Sequence, residues 1–148
     1  KAVARIIEQL TGDEEMIIVA LLHDTLEDTD TQIEEIEGLF GTNIKNYVVE
    51  LTTFNSTNIS KKNYLGEKIQ KLSDKALTVK LADRLHNIKY LEEDDVGKTF
   101  MEKYFIETEF IMNKLENRAD KEFTEAQTVL INLIKAKLDF LRVRYDFD

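Results

Sequence analysis

Apolar residues recur at spacings of three and four along almost all of this 148-residue chain, and no proline interrupts them. That rhythm puts side chains on one face of an α-helix, and a chain with no Pro and five Gly lacks the breakers a turn-rich β-sandwich needs. Val3, Ile6, Ile7 and Leu10 form one stripe, ending at Thr11-Gly12. Asp13 is placed to cap a second helix with Glu14 and Glu15 in its first turn. Residues 16–22 of that helix are apolar on every face, which predicts a central position. Ile33, Ile36, Leu39 and Phe40 predict a short amphipathic helix ended by Gly41, and Ile44, Tyr47, Val48 and Leu51 start another. Residues 52–60 are rich in Thr, Asn and Ser and read as a loop; helix resumes near Lys61, pauses at Ser73-Asp74 and runs over 76–91. Two long helices, roughly 98–117 and 122–145, follow. The expectation is an all-α bundle of about seven to eight helices, one domain over residues 1–148.

Charge narrows the partners. With 20 Lys+Arg against 29 Asp+Glu the net charge is −9, which argues against nucleic-acid polymers, whose phosphates are neutralised by basic side chains. The absence of cysteine excludes disulfides and thiolate metal sites and fits a reducing, cytoplasmic setting. No apolar run approaches the roughly 20 residues of a membrane span.

The chemistry concentrates in two segments. Residues 23–29 read His-Asp-Thr-Leu-Glu-Asp-Thr. If helix continues through them, His23 and Glu27 share one face and Asp24 and Asp28 an adjacent one. Three carboxylates and an imidazole would then crowd together with no Lys or Arg among them, so they must be solvated, protonated or bound to a cation. A solvated acidic helix end is the plain alternative. Residues 76–87 read Ala-Leu-Thr-Val-Lys-Leu-Ala-Asp-Arg-Leu-His-Asn, with Asp83 and Asn87 on one face and a salt bridge from Asp83 to Lys80 or Arg84 as its plain reading. Taken together, the segments supply an imidazole and two carboxylates, and mixed N/O ligation suits Mn²⁺, Fe²⁺ or Zn²⁺ more than Ca²⁺.

These two segments, with Ile-Glu-Glu-Ile-Glu-Gly-Leu-Phe-Gly at 33–41 between them, resemble the HD-domain hydrolases of the RelA/SpoT type and the stand-alone small alarmone hydrolases, which remove the 3′-pyrophosphate of ppGpp and pppGpp. The resemblance covers roughly residues 1–91 and hardly reaches the C-terminal helices. It implies an HD-type, metal-dependent phosphohydrolase with one divalent ion, usually Mn²⁺, held by His23, Asp24 and Asp83. It also implies Glu27 and Asp28 as the pair that positions and deprotonates the attacking water, and Asn87 near the ribose and guanine. The family's first histidine lies in a His-Pro-x-x-Val-Ala element; Lys1-Ala2-Val3-Ala4 matches its end, so the sequence is expected to be trimmed just after the histidine and proline.

An anionic nucleotide needs cations beyond the metal. Lys61 and Lys62 are the candidates for the pyrophosphate, Lys80 and Arg84 flank Asp83, and Tyr104 is a candidate to stack on or hydrogen-bond the substrate, although a core aromatic is its plainer reading. His86 is assigned a structural or supporting role, and Tyr90 stands where relatives often carry a smaller residue. The leading expectation is a ppGpp 3′-pyrophosphohydrolase yielding GDP or GTP and pyrophosphate. Hydrolysis of another nucleotide at the same site and a catalytically degenerate nucleotide-binding module are the alternatives. The long C-terminal helices leave room for a homo-oligomer.

Overall fold

In the computed structural model residues 1–53, 60–92, 97–118 and 122–147 are described. They form α1 (Ala2–Leu10), α2 (Glu14–Leu22), a single turn α3 (Thr25–Asp28), α4 (Ile33–Phe40), α5 (Thr42–Leu51), α6 (Lys61–Ile69), α7 (Asp74–Lys89), α8 (Lys98–Glu116) and α9 (Glu125–Tyr145), with no strand among the described residues. Eight helices plus one turn bear out the all-α expectation. Most of the expected loop, residues 54–59, lies outside the described residues.

The ends follow from local chemistry. The Asp13 carboxylate accepts the Met16 N–H at 3.0 Å and starts α2. Gly41, at φ 94°, supplies the left-handed geometry that separates α4 from α5. Ser60 caps α6 through the Asn63 N–H. α9 begins at Glu125 rather than at 122, because Thr124 and Gln127 exchange hydrogen bonds in a capping box.

The central helix is α7, not the all-apolar α2. Packing against α1, α2, α5, α8 and α9, α7 buries residues on most of its circumference, including Thr78 and Arg84. α2 lies on a flank against α1, α5 and α7; only Val19 and Ala20 are fully buried, and Leu21 is 50% exposed. α7 tolerates its polar letters at the centre because distant residues satisfy them. Gln127 Nε2 donates to the Asp74 carbonyl and to Thr78 Oγ1, which pins α9 onto α7. Among the described residues no helix is long and apolar enough to cross a membrane.

Candidate functional site

α2 ends at His23, so the condition under which His23 and Glu27 would share a face, helix continuing through residue 28, is not met. The Ala20 carbonyl accepts from His23 Nδ1 at 2.6 Å and the Leu22 carbonyl from Thr25 Oγ1 at 2.8 Å, so side chains take up helical acceptors. Helix restarts as α3, where the Glu27 and Asp28 N–H groups both bond to the Asp24 carbonyl. His23 and Glu27 therefore do not share a helical face, and Glu27 and Asp28 are carried on a separate, exposed turn.

A carbonyl only accepts, so Nδ1 of His23 carries the hydrogen in that bond and Nε2 is the nitrogen turned to α7. It stands 3.4 Å from Asp83 Oδ1. The hydrogen bond that protonated His23 donates to the Asp83 carboxylate is the largest influence on it and, against burial, raises its pKa. Burial pushes the Asp83 carboxyl up, but the His23 hydrogen bond and the charges of Lys80, His23 and Arg84 outweigh it and leave the pKa below the usual aspartate value. Lys80 Nζ lies 3.8 Å from Asp83 Oδ2. Asp24 is exposed and adds to the field on His23. No group of three or more His, Asp or Glu side chains close enough to hold a metal occurs among the described residues. The donors still fit a divalent cation in part: an imidazole whose Nδ1 side is anchored by a backbone carbonyl presents its other nitrogen beside a carboxylate, the arrangement typical of ligating histidines.

Around this pair the expected residues divide. Glu27 accepts a hydrogen bond from the Thr53 N–H, and no hydrogen bond or ion pair joins Asp28 to His23, Asp24 or Asp83 among the described residues. Asn87, one turn beyond Asp83, hydrogen-bonds Tyr104, whose phenol is pushed up mainly by burial. The charge of Lys61 reaches Lys80, whereas Lys62 sits over the Phe110 ring at 4.9 Å; both line a hollow of about 560 Å³ with Thr99, Lys103 and Glu107. Arg84 turns away from the site, buried against α8 on Glu107 Oε1 at 3.1 Å with Tyr104 stacked on it at 4.7 Å. His86 lies edge-on to Tyr90, and both line a groove of about 350 Å³ between α1, α7 and α9 with Arg5 and Lys89.

Sequence reasoning missed Lys68. Its Nζ donates to the Thr52 carbonyl at 2.5 Å, next to the residue that holds Glu27, and burial, with Lys80 nearby, holds its pKa below the ordinary lysine value. No motif marks it; a lysine inside the apolar Leu65/Ile69 turn is the only signal.

An "HD domain" family description matches residues 1–120. A Synechocystis protein named as a probable guanosine-3′,5′-bis(diphosphate) 3′-pyrophosphohydrolase is 37% identical over 124 residues, 79% of this chain and 16% of its own length. The enzyme of that activity from Xenopus tropicalis, MESH1, is 42% identical over 93 residues, 61% of this chain and 52% of its own. The chain thus spans about half or less of these relatives. A solved structure described as a metazoan ortholog of SpoT that hydrolyzes ppGpp aligns over 92% of this chain and 78% of its own, with a TM-score of 0.75 and 27% identity.

Proposed function

The chain belongs to the HD-domain family, and from that premise we propose that it removes the 3′-pyrophosphate of ppGpp or pppGpp, releasing pyrophosphate and GDP or GTP. The observation that carries the proposal is the meeting of His23, from the first motif, with Asp83, from the second, at 3.4 Å across α2 and α7. Relatives of that named activity at 37% and 42% identity support the substrate class.

HD-domain hydrolases are metal-dependent, and His23 and Asp83, with Asp24 next to His23 in the chain, are the residues that would hold the ion. A divalent cation there supplies Lewis-acid activation of water and offsets phosphate charge. Mn²⁺ is our choice, with Zn²⁺ or Fe²⁺ compatible with the same mixed donors. Glu27, held by the Thr53 N–H, accepts the proton of the attacking water, with Asp28 beside it on the same turn. Attack falls on the phosphorus joined to the ribose 3′ oxygen; that P–O bond breaks and the 3′ oxygen takes up a proton. Lys61, Lys62 and Lys80 offset the charge of the pyrophosphate, while Asn87 and Tyr104 meet the nucleoside. A small nucleotide, no nucleic-acid polymer and a cytoplasmic location complete the reading.

The test is pyrophosphate release from ppGpp by the full-length protein with Mn²⁺. Glu27→Gln, which keeps the shape and removes the base, should lower kcat by about 10²- to 10⁴-fold. No release by the wild-type protein, or a Glu27→Gln variant as fast as wild type, refutes the proposal. Nucleotide binding without turnover would favour the degenerate module, a reading to which the two-residue convergence at His23 and Asp83 gives some support.

A further inference from the structure

α9 carries two apolar faces, and the fold uses one. Gln127, Leu130, Ile131, Ile134, Leu138 and Leu141 are buried in the domain. At 100° per residue, Val129, Leu133, Ala136, Phe140 and Val143 lie roughly on the opposite side. They stay open: Val129 is 37%, Leu133 48%, Phe140 50% and Val143 85% exposed. Their spacing is 4-3-4-3. An apolar stripe of period 3.5 over residues 129–143 of α9, about two heptads, matches the seam of a left-handed coiled coil rather than a surface for a loop or a sheet.

The residues beside the seam select the occupant. With Leu133 and Phe140 as the first core position of each heptad and Val129, Ala136 and Val143 as the second, one flank carries Glu125, Asn132 and Asp139 and the other carries Leu130, which is buried in the domain, Lys137 and Arg144. In a parallel pair each residue of the first flank meets the residue five further on in the other copy. Asn132 would then face the partner's Lys137 and Asp139 the partner's Arg144; within the chain Lys137 is held on Glu92 at 2.6 Å, whereas Asp139 and Arg144, 75% and 60% exposed, make surface pairs with Arg142 and Glu92 that they can exchange for each other. In an antiparallel pair like flanks meet, setting Lys137 against Lys137 and Glu125 against Asp139.

We propose that the outer face of α9 is a self-association surface on which two copies of this chain pair in parallel as a two-stranded coiled coil. The exposed Asp139 and Arg144 make the helix complementary to itself in that orientation, and a symmetric pair repeats the contact twice. The proposal is independent of the catalytic reading, because none of these residues belongs to the candidate site.

Sedimentation velocity of the full-length protein should give a concentration-dependent dimer. Leu133→Glu/Phe140→Glu should sediment as a monomer with unchanged helicity, since both positions are about half exposed, Leu133 at the edge of the groove between α1, α7 and α9. Asp139→Arg should weaken the dimer by about fivefold or more, and Asp139→Arg/Arg144→Asp should restore it. Val143→Cys supplies a thiol on the seam, where these 148 residues have no cysteine of their own, and it should cross-link to its copy under mild oxidation only in the parallel register. A monomer at all concentrations, a dimer that survives Leu133→Glu/Phe140→Glu, or a dimer whose Val143→Cys variant does not cross-link would overturn the proposal.

Discussion

Removing the Glu107 carboxylate should be among the most costly single changes in this protein. Glu107 on α8 and Arg84 on α7 pair at 3.1 Å with side chains only 11% and 7% exposed, and once the carboxylate is gone water reaches the guanidinium only from the hollow that Glu107 lines. Glu107→Ala leaves a buried guanidinium, and breaking such a pair from one side typically costs about 3–5 kcal/mol. Two contacts soften the loss: Arg84 Nη1 also donates to Thr108 Oγ1 at 3.2 Å, and the Tyr104 ring lies 4.7 Å from the guanidinium. The expected cost is therefore near the lower end, about 3 kcal/mol, a large share of the roughly 5–15 kcal/mol that stabilises a domain. Urea unfolding followed by far-UV circular dichroism measures it as a shift in midpoint at constant slope. Arg84→Met/Glu107→Leu removes both charges at similar volume and should come back to within about 1 kcal/mol of wild type. A cost below about 1 kcal/mol for Glu107→Ala, or a double variant as unstable as the single one, would refute the view that desolvation makes this pair indispensable only as a pair.

Gly66→Ala would place a Cβ 2.6 Å from Phe110 Cε1, so about 1 kcal/mol of helix propensity gained is outweighed by overpacking of about 1–3 kcal/mol; the thermal midpoint should fall, and Phe110→Leu should rescue it. Lys68→Met frees the Thr52 carbonyl and with it the segment that holds Glu27, so kcat for pyrophosphate release should drop about tenfold or more with KM little changed; an equal loss in KM would point to substrate contact instead. In the EDTA-treated protein the raised His23 pKa means that its contribution to stability is fully present below about pH 6.5 and lost as pH rises through the folded-state value. The stability gap between wild type and His23→Gln, measured by urea unfolding from pH 5 to 9, should therefore narrow with rising pH; a gap that widens would reverse the sign.

Much of the fold was legible because its signals are local. The stripe of Val3, Ile7 and Leu10, the Asp13 cap, the Gly41 stop and the rhythm of the last helix each depend on residues within one or two turns of one another. The position of α2 was not legible, since an all-apolar segment announces burial but not by how many neighbours. α7 occupies the centre while carrying Lys, Asp, Arg and Asn, because the partners of Thr78 and Arg84 stand 49 and 23 residues away in the chain. No window of periodicity spans such distances, and an internally paired arginine reads as a surface charge until its partner is seen.

The same distinction runs through the candidate site. The two motifs bring His23 to Asp83 as their pairing in sequence suggested, because both sit on helices whose apolar faces fix them in one core. The turn between them behaves differently. His-Asp-Thr-Leu-Glu-Asp contains no Gly or Pro to announce a break, yet the imidazole and the Thr25 hydroxyl each bond a helical carbonyl and end α2 in mid-motif. The bond that interrupts the helix is also the one that leaves Nε2 of His23 facing Asp83. An uninterrupted helix would carry Glu27 over His23; the break moves it to a separate turn, within reach of the Thr53 N–H. The departure from helical regularity is thus what separates the residues suited to hold a cation from the residue suited to take a proton.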